Sequence, residues 1–408
     1  MNTKVRSQLS VMMFLEFFIW GAWFVTMWPY LNSLGFEGKH IGAAYSTTGW
    51  AAIISPFFVG MIADRFFSAE KVLGAMHFVG GCVLYWASTV TEPGMFFWVL
   101  LLYTLCYMPT LALVNSVSFD HMEDPGKEFP AISVLGTIGW IVAGLVVGFM
   151  PKGVFGIETI ENTSYPMKIA AGASILMGLF CFFLPKTPPK SLGKKITISD
   201  VLGLKALSLL KDRAFLVFIV SSFLICIPLA FYYQSANGFL SEAGMKNPAA
   251  KMTMGQMSEL FFMLVMPFFF ARLGIKKMLL VGMLFWVGRY FLFAFGYGGS
   301  ATVMLYLGII FHGICYDFFF VTGQIYVDKK APLEIRASAQ GFIALVTLGL
   351  GMVIGNLING WVTTHYTAAD GSHNWKMIWL VPAVMAGVVA VVFSILFKDN
   401  NTSDEVME

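Results

Sequence analysis

Long apolar runs recur along the whole chain, separated by short charged or Gly/Pro-rich breaks. They fall at roughly 9–32, 40–63, 71–91, 94–119, 130–150 and 166–185, and then at 214–241, 252–271, 276–297, 300–327, 335–364 and 375–397. Runs of about 20 apolar residues suit helices crossing a hydrocarbon core of about 30 Å. The longest hydrophilic stretch, Lys186 to Arg213, divides the twelve into six and six. The pattern predicts an all-α polytopic membrane protein with twelve transmembrane helices in two six-helix bundles, residues 1–185 and 214–398. A basic linker, 186–213, joins them, and residues 399–408 are expected as a disordered tail.

Composition agrees. Of 408 residues 58% are hydrophobic and 12% charged, against about 25% charged in soluble domains; such a chain cannot clothe a globule in polar surface. The net charge of +3 says little about partners. Basic residues gather at Lys4/Arg6, Arg65/Lys71, Lys127, the linker, Arg272/Lys276/Lys277, Lys329/Lys330/Arg336 and Lys398. The positive-inside rule puts these segments, and with them both termini and the linker, in the cytoplasm. The first run is too long for a signal-peptide core and stays as a span. Within the linker, residues 199–211 open on Ser199-Asp200 and predict an amphipathic helix at the membrane surface. Cys82, Cys106, Cys181, Cys226 and Cys315 lie in apolar runs without paired or metal-ligand spacing and read as small buried residues.

Ionisable residues inside spans are costly and are functional candidates by default. They are Glu16, His77, Glu259, Arg289, His312 and Asp317. Glu16 heads a stripe with Trp20, Trp23 and Met27 that would meet either a ring-shaped ligand or a neighbouring helix; His77 reads as a structural hydrogen-bond group. Gln256 and Glu259, three residues apart, share a helix face, so an amide and a titratable carboxyl project to one region. Arg289 needs a partner, and Glu259 and Asp317 are the two carboxyls available for a structural ion pair. The stretch FHGICYDFFFVTGQ (311 to 324) places His312, Tyr316 and Phe320 on one stripe and Asp317 on the next. Tyr103, Tyr107, Thr110 and Asn115, and later Tyr232, Tyr233, Gln234 and Asn237, suit a neutral polar ligand, and Pro109 and Pro228 permit bends. No Walker A, HExxH, GxSxG or Cys/His array occurs, so neither ATP-driven transport nor a membrane enzyme has visible chemistry.

Several strings carry a resemblance. GMIADR after the second span resembles the major facilitator superfamily, although Phe66, Phe67 and Ser68 depart from its usual continuation. FIWGAWF (18 to 24), YMPTLALVNS (107 to 116), GTIGW (136 to 140), GQMSELFFM (255 to 263), YDFFFVTGQIYVDKK (316 to 330) and IRASAQG (335 to 341) resemble its nucleoside:proton symporter family over nearly the whole length. The resemblance implies a major facilitator fold and substrate contacts from the fifth, seventh, eighth and tenth helices. Carried over, it points to Thr137, Trp140, Gln256, Glu259, His312, Tyr316 and Asp317 for the cavity, with Tyr233 and Gln234 near the family's polar seventh-helix positions but not identical to them. Proton coupling falls to Glu259 or Asp317, because a neutral carboxyl crosses an occluded state more cheaply than a charged one. Where the family often reads F-P-x-I-R, this chain has Phe129-Pro130-Ala131-Ile132-Ser133 and lacks the basic residue.

The expectation is a proton-coupled importer of nucleosides in a bacterial inner membrane, acting as a monomer. Its partners would be a nucleoside or similar neutral small molecule, protons and the bilayer, with no nucleic acid, no metal and no cofactor beyond the coupling ion. Two other readings stay open from the residues: a major facilitator transporter of a sugar, nucleobase, peptidoglycan fragment or drug, and a non-transporting membrane sensor.

Overall fold

The residues bounding each apolar run start the helices. Glu92 accepts a hydrogen bond from Gly94 N at 2.8 Å beside Pro93, Asp212 from Phe215 N at 2.9 Å, and Asn374 from Met377 N at 3.3 Å. Each satisfies N–H groups that a first helical turn leaves open. The structure, a computed structural model, describes residues 2–63, 67–150, 156, 158–189, 204–297 and 302–398.

Among the described residues the chain is helical apart from an isolated bridge between Thr367 and His373. The first six spans are α1 (Thr3–Ser33), α2 (Gly38–Ala63), α3 (Ala69–Ala87), α4 (Pro93–Asp120), α5 (Pro125–Phe149) and α6 (Tyr165–Phe183). Next comes α7 (Arg213–Glu242). The continuous stretch Pro248–Gly296 turns at Gly274, where φ is 64°, and so forms two spans, α8 (248–273) and α9 (275–296). Only glycine takes that conformation without a Cβ penalty. The remaining spans are α10 (Thr302–Lys330), α11 (Ser338–His365) and α12 (Trp375–Leu396). These are the twelve spans expected from the apolar runs.

The chain divides into two compact units, Met1–Thr197 with Lys246–Thr253, and Ile198–Met245 with Met254–Glu408. In the first unit α1 packs on α5 and α6. Gly139 makes that approach possible, because a Cβ there would sit 2.2 Å from the Phe14 carbonyl oxygen. Where α1 breaks at residues 24–26, Tyr45 OH donates to Phe24 O at 2.7 Å and accepts from Trp28 N at 3.1 Å. Pro109 interrupts α4, whereas Pro228 lies within an unbroken α7. The segment Lys246–Thr253 belongs with this unit: Glu161 accepts from Ala249 N at 3.0 Å, and Ala250 and Thr253 lie against Gly148 and Gly144.

In the second unit α7 packs on α11 and α12. Asn359 Nδ2 donates to Ser235 Oγ at 2.9 Å across the first of these contacts. α10 and α11 each contain a π-helical segment, Asp317–Val321 and Leu345–Gly351, a feature found often at functional sites. Of the expected surface helix 199–211, residues 204–211 form a 3-10 helix and the rest lies outside the described residues, as do 190–198 and the tail. Cys181, Cys226 and Cys315 are buried as expected, but Cys82 is exposed on α3.

Candidate functional site

The close docking of α8 against α10 is written in two glycines. A Cβ at Gly313 would lie 2.5 Å from Glu259 N, and one at Gly255 would lie 3.1 Å from His312 Cβ. Ser258 Oγ adds a hydrogen bond to Ile310 O at 2.6 Å. Small residues at a helix crossing let backbones approach where apolar burial supplies little drive. The approach brings Glu259 beside His312, with Nε2 to Oε2 at 3.8 Å.

Aromatic rings extend from this point. His312 stacks on Tyr232 at 5.0 Å between ring centroids, meets Tyr233 edge-on at 6.0 Å, and is followed along α10 by Tyr316 at 5.7 Å and then Phe320 at 5.2 Å from Tyr316. Arg289, fully buried on α9, places its guanidinium 3.4 Å over the Tyr232 ring and Nη1 3.1 Å from His312 Nδ1. The expected ion pair of Arg289 with Glu259 or Asp317 does not form. The aromatic faces of Tyr232 and Trp286 and the His312 nitrogen take the place of a carboxylate.

Asp317 is fully buried, and neither carboxyl oxygen has a hydrogen-bond partner. An ionised carboxylate without partners is expensive in a protein interior or in hydrocarbon, so its protonation state changes the energy of this packing. Gln256 is buried one turn before Glu259 on α8. Gln234 on α7 is also buried, with both amide atoms unpaired. The second unit therefore gathers two carboxyls, a histidine, amides and stacked rings, a set able to bind a flat polar solute and to hold a proton.

The model of the nucleoside H+ symporter family matches residues 1–402. The chain belongs to that family. It is 48% identical over 405 residues to YegT, a candidate nucleoside transporter of Escherichia coli (strain K12), covering 98% of this chain and 95% of that one. The xanthosine permease of the same organism is 35% identical, with 99% and 98% covered. The crystal structure of the nucleoside transporter NupG matches with a TM-score of 0.87 at 33% identity, covering 98% of this chain and 100% of that one. The fold is the twelve-helix major facilitator type, and the family is one of transporters rather than enzymes.

Other residues expected in this symporter-family site lie in the first unit. Thr137 and Trp140 stand one turn apart on α5, and Trp140 packs edge-on against Trp20 at 5.6 Å. Of the two settings open to the Glu16 stripe, Glu16 itself takes the one against neighbouring helices. It is fully buried, 2.8 Å from His77 Nε2, and accepts from Thr110 Oγ1 at 2.6 Å. His77 thus has the structural hydrogen bond expected of it. One residue escaped the sequence reading: Asn356 on α11 is fully buried with both amide atoms unpaired, like Gln234. Its signal was an amide in the middle of an apolar run, the same signal that singled out Asn237.

Proposed function

We propose that this protein imports nucleosides with protons across a bacterial inner membrane by alternating access, with both termini in the cytoplasm. The observation that carries the reading is Glu259 beside His312, one helical crossing from the unbonded carboxyl of Asp317. In this reading the rings of Tyr316 and Tyr233 stack on the base. Gln256 and Gln234 answer the polar groups of base and ribose, and His312 lines the same wall. Glu259 takes up the coupling proton, and Asp317 holds the α10 wall and lowers its own energy when neutral. A proton moving inward down the membrane potential contributes about 2.3 kcal/mol per 100 mV. The basic segments at the linker and at Lys329/Lys330 support the orientation.

The test is uptake of labelled uridine into proteoliposomes under an imposed proton gradient. Glu259→Gln should abolish accumulation against a gradient while leaving uridine exchange, since a permanently neutral carboxyl can cross the occluded state but cannot release a proton. Full accumulation in both Glu259→Gln and Asp317→Asn would exclude these carboxyls from coupling. A competition panel of nucleosides, nucleobases and sugars tests the cargo, and absence of inhibition by any nucleoside would point to another solute.

A further inference from the structure

The contact between Arg289 and His312 has a direction. A guanidinium carries only donors, so Nη1 donates and His312 Nδ1 accepts across 3.1 Å. The ring proton then sits on Nε2. An imidazolium would point a second N–H at the guanidinium, and the geometry excludes it. His312 is fully buried and Nε2 has no hydrogen-bond partner. The acidic oxygen in ion-pair range of it is Glu259 Oε2 at 3.8 Å, beyond hydrogen-bond distance.

The groups around this point leave Arg289 as the one able to fix the ring. Tyr232 and Tyr233 face it from α7, Glu259 from α8, Arg289 from α9 and Tyr316 from α10. Tyr232 stacks on the His312 ring, Tyr233 meets it edge-on and Tyr316 is tilted against it, and neither Asp317 oxygen makes a hydrogen bond. Arg289 is itself set by ring faces, 3.4 Å from Tyr232 and 5.3 Å from Trp286. Its charge is not consumed by a bonded carboxylate, and its direction is fixed from behind.

We propose that Arg289 is a positioning residue for proton coupling: it fixes the His312 tautomer so that the Nε2–H is aimed at Glu259. The donor closes on the carboxylate when Glu259 is ionised and is released when the carboxyl takes its proton. His312 keeps its own proton throughout, and the transported proton resides on the Glu259 oxygen. The inference rests on the reading of Glu259 as the coupling group.

The experiment measures the pH profile of labelled uridine uptake in proteoliposomes for the wild type, Arg289→Met, Arg289→Lys, Glu259→Gln and the Arg289→Met/Glu259→Gln double variant. Without the aimed donor the ionised carboxylate loses a partner, so Arg289→Met should move the half-maximal pH alkaline by about one unit, tenfold in proton activity. Arg289→Lys, which keeps a cationic donor, should recover most of the shift. Glu259→Gln should flatten the profile, and adding Arg289→Met should change its shape no further. A wild-type midpoint in Arg289→Met alongside a flat Glu259→Gln profile would overturn the proposal and leave the carboxyl assignment standing. A wild-type profile in Glu259→Gln would instead remove that assignment. Should Arg289→Met fail to fold, ¹⁵N spectra of histidine-labelled wild type decide, with the His312 signals assigned by their loss in His312→Gln. They should show a protonated Nε2 and a bare Nδ1 between about pH 6 and 8; a protonated Nδ1 would overturn the proposal.

Discussion

His77 Nε2 lies 2.8 Å from Glu16 Oε2, with both side chains sealed inside the first unit. Ser174 Oγ donates to the His77 carbonyl oxygen at 2.8 Å, so toward His77 Nδ1, 3.2 Å away, it must accept. Nδ1 therefore carries a proton, and the short bond to Glu16 needs one more between the two groups. The pair as a whole is neutral, whichever atom holds that proton. Tyr107 donates to the Glu16 main-chain oxygen at 2.6 Å, and the single Thr110 hydroxyl proton is shared between Oε1 at 2.6 Å and the Tyr107 carbonyl oxygen, so neither hydroxyl adds a proton to the pair.

Glutamine reproduces the neutral arrangement, donating from its amide to Nε2 and accepting from Thr110. Glu16→Gln should therefore fold and melt like the wild type in detergent. Glu16→Ala and His77→Ala strand buried polar partners and should each cost about 1–3 kcal/mol, read as a lower thermal-unfolding midpoint. Equal damage from Gln and Ala would show that a charged pair is required here.

Gly313 governs how closely α10 approaches α8. A methyl group there would meet Glu259 N at 2.5 Å and Ser258 O at 2.6 Å, both main-chain atoms that cannot turn aside. Gly313→Ala should cost about 1–3 kcal/mol by overpacking and widen the gap between Glu259 and His312. Uridine uptake per molecule in the membrane should fall about tenfold, a barrier change near 1.4 kcal/mol. Gly341 is the control: nothing lies within 4 Å of a Cβ there, so Gly341→Ala should transport normally.

The spans were legible because membrane burial writes itself as uninterrupted apolar length, and the turn at Gly274 because glycine flanked by Arg272 and Lys276 punctuates such a run. The pairing of Gln256 with Glu259 followed from helical spacing alone. The partner of Arg289 did not follow: counting residues placed two carboxyls at a suitable depth, but rotation of α9 about its axis turned the guanidinium onto Tyr232 and His312 instead. The partner of Glu16 did not follow either, since His77 is 61 positions distant and reaches it only through the packing of helices. The π-helical segment beginning at Asp317 has no local sequence mark, and neither does the grouping of Ala249, Ala250 and Thr253 with the first unit.

Asp212 does two jobs at the start of α7. Its Oδ1 caps Phe215 N at 2.9 Å, and Oδ2 lies 3.0 Å from Lys330 Nζ at the end of α10. Asparagine caps as well as aspartate but carries no charge, so Asp212→Asn should lose only a partly exposed ion pair, at most about 1 kcal/mol. Asp212→Ala should lose the cap as well, about 1 kcal/mol more. Thermal unfolding of the two variants in detergent separates the contributions, and identical midpoints would mean that the cap contributes nothing.

Ser133 stands where the resemblance leads one to expect a basic residue, half-buried on α5, with Thr137 and Trp140 following at the fourth and seventh positions. These spacings put the three residues along one helix face. A guanidinium at 133 would add five fixed donors, and a hydrogen bond to a charged group is worth about 1.5–3 kcal/mol, roughly ten- to hundredfold in affinity. Ribose hydroxyls can accept such bonds, and a free nucleobase lacks them. Ser133→Arg should therefore strengthen inhibition of uridine uptake by nucleosides more than by the matching nucleobases. A nucleoside-to-nucleobase inhibition ratio identical to that of the wild type would mean that position 133 does not meet the sugar, and that the absent basic residue does not set the selectivity of this chain.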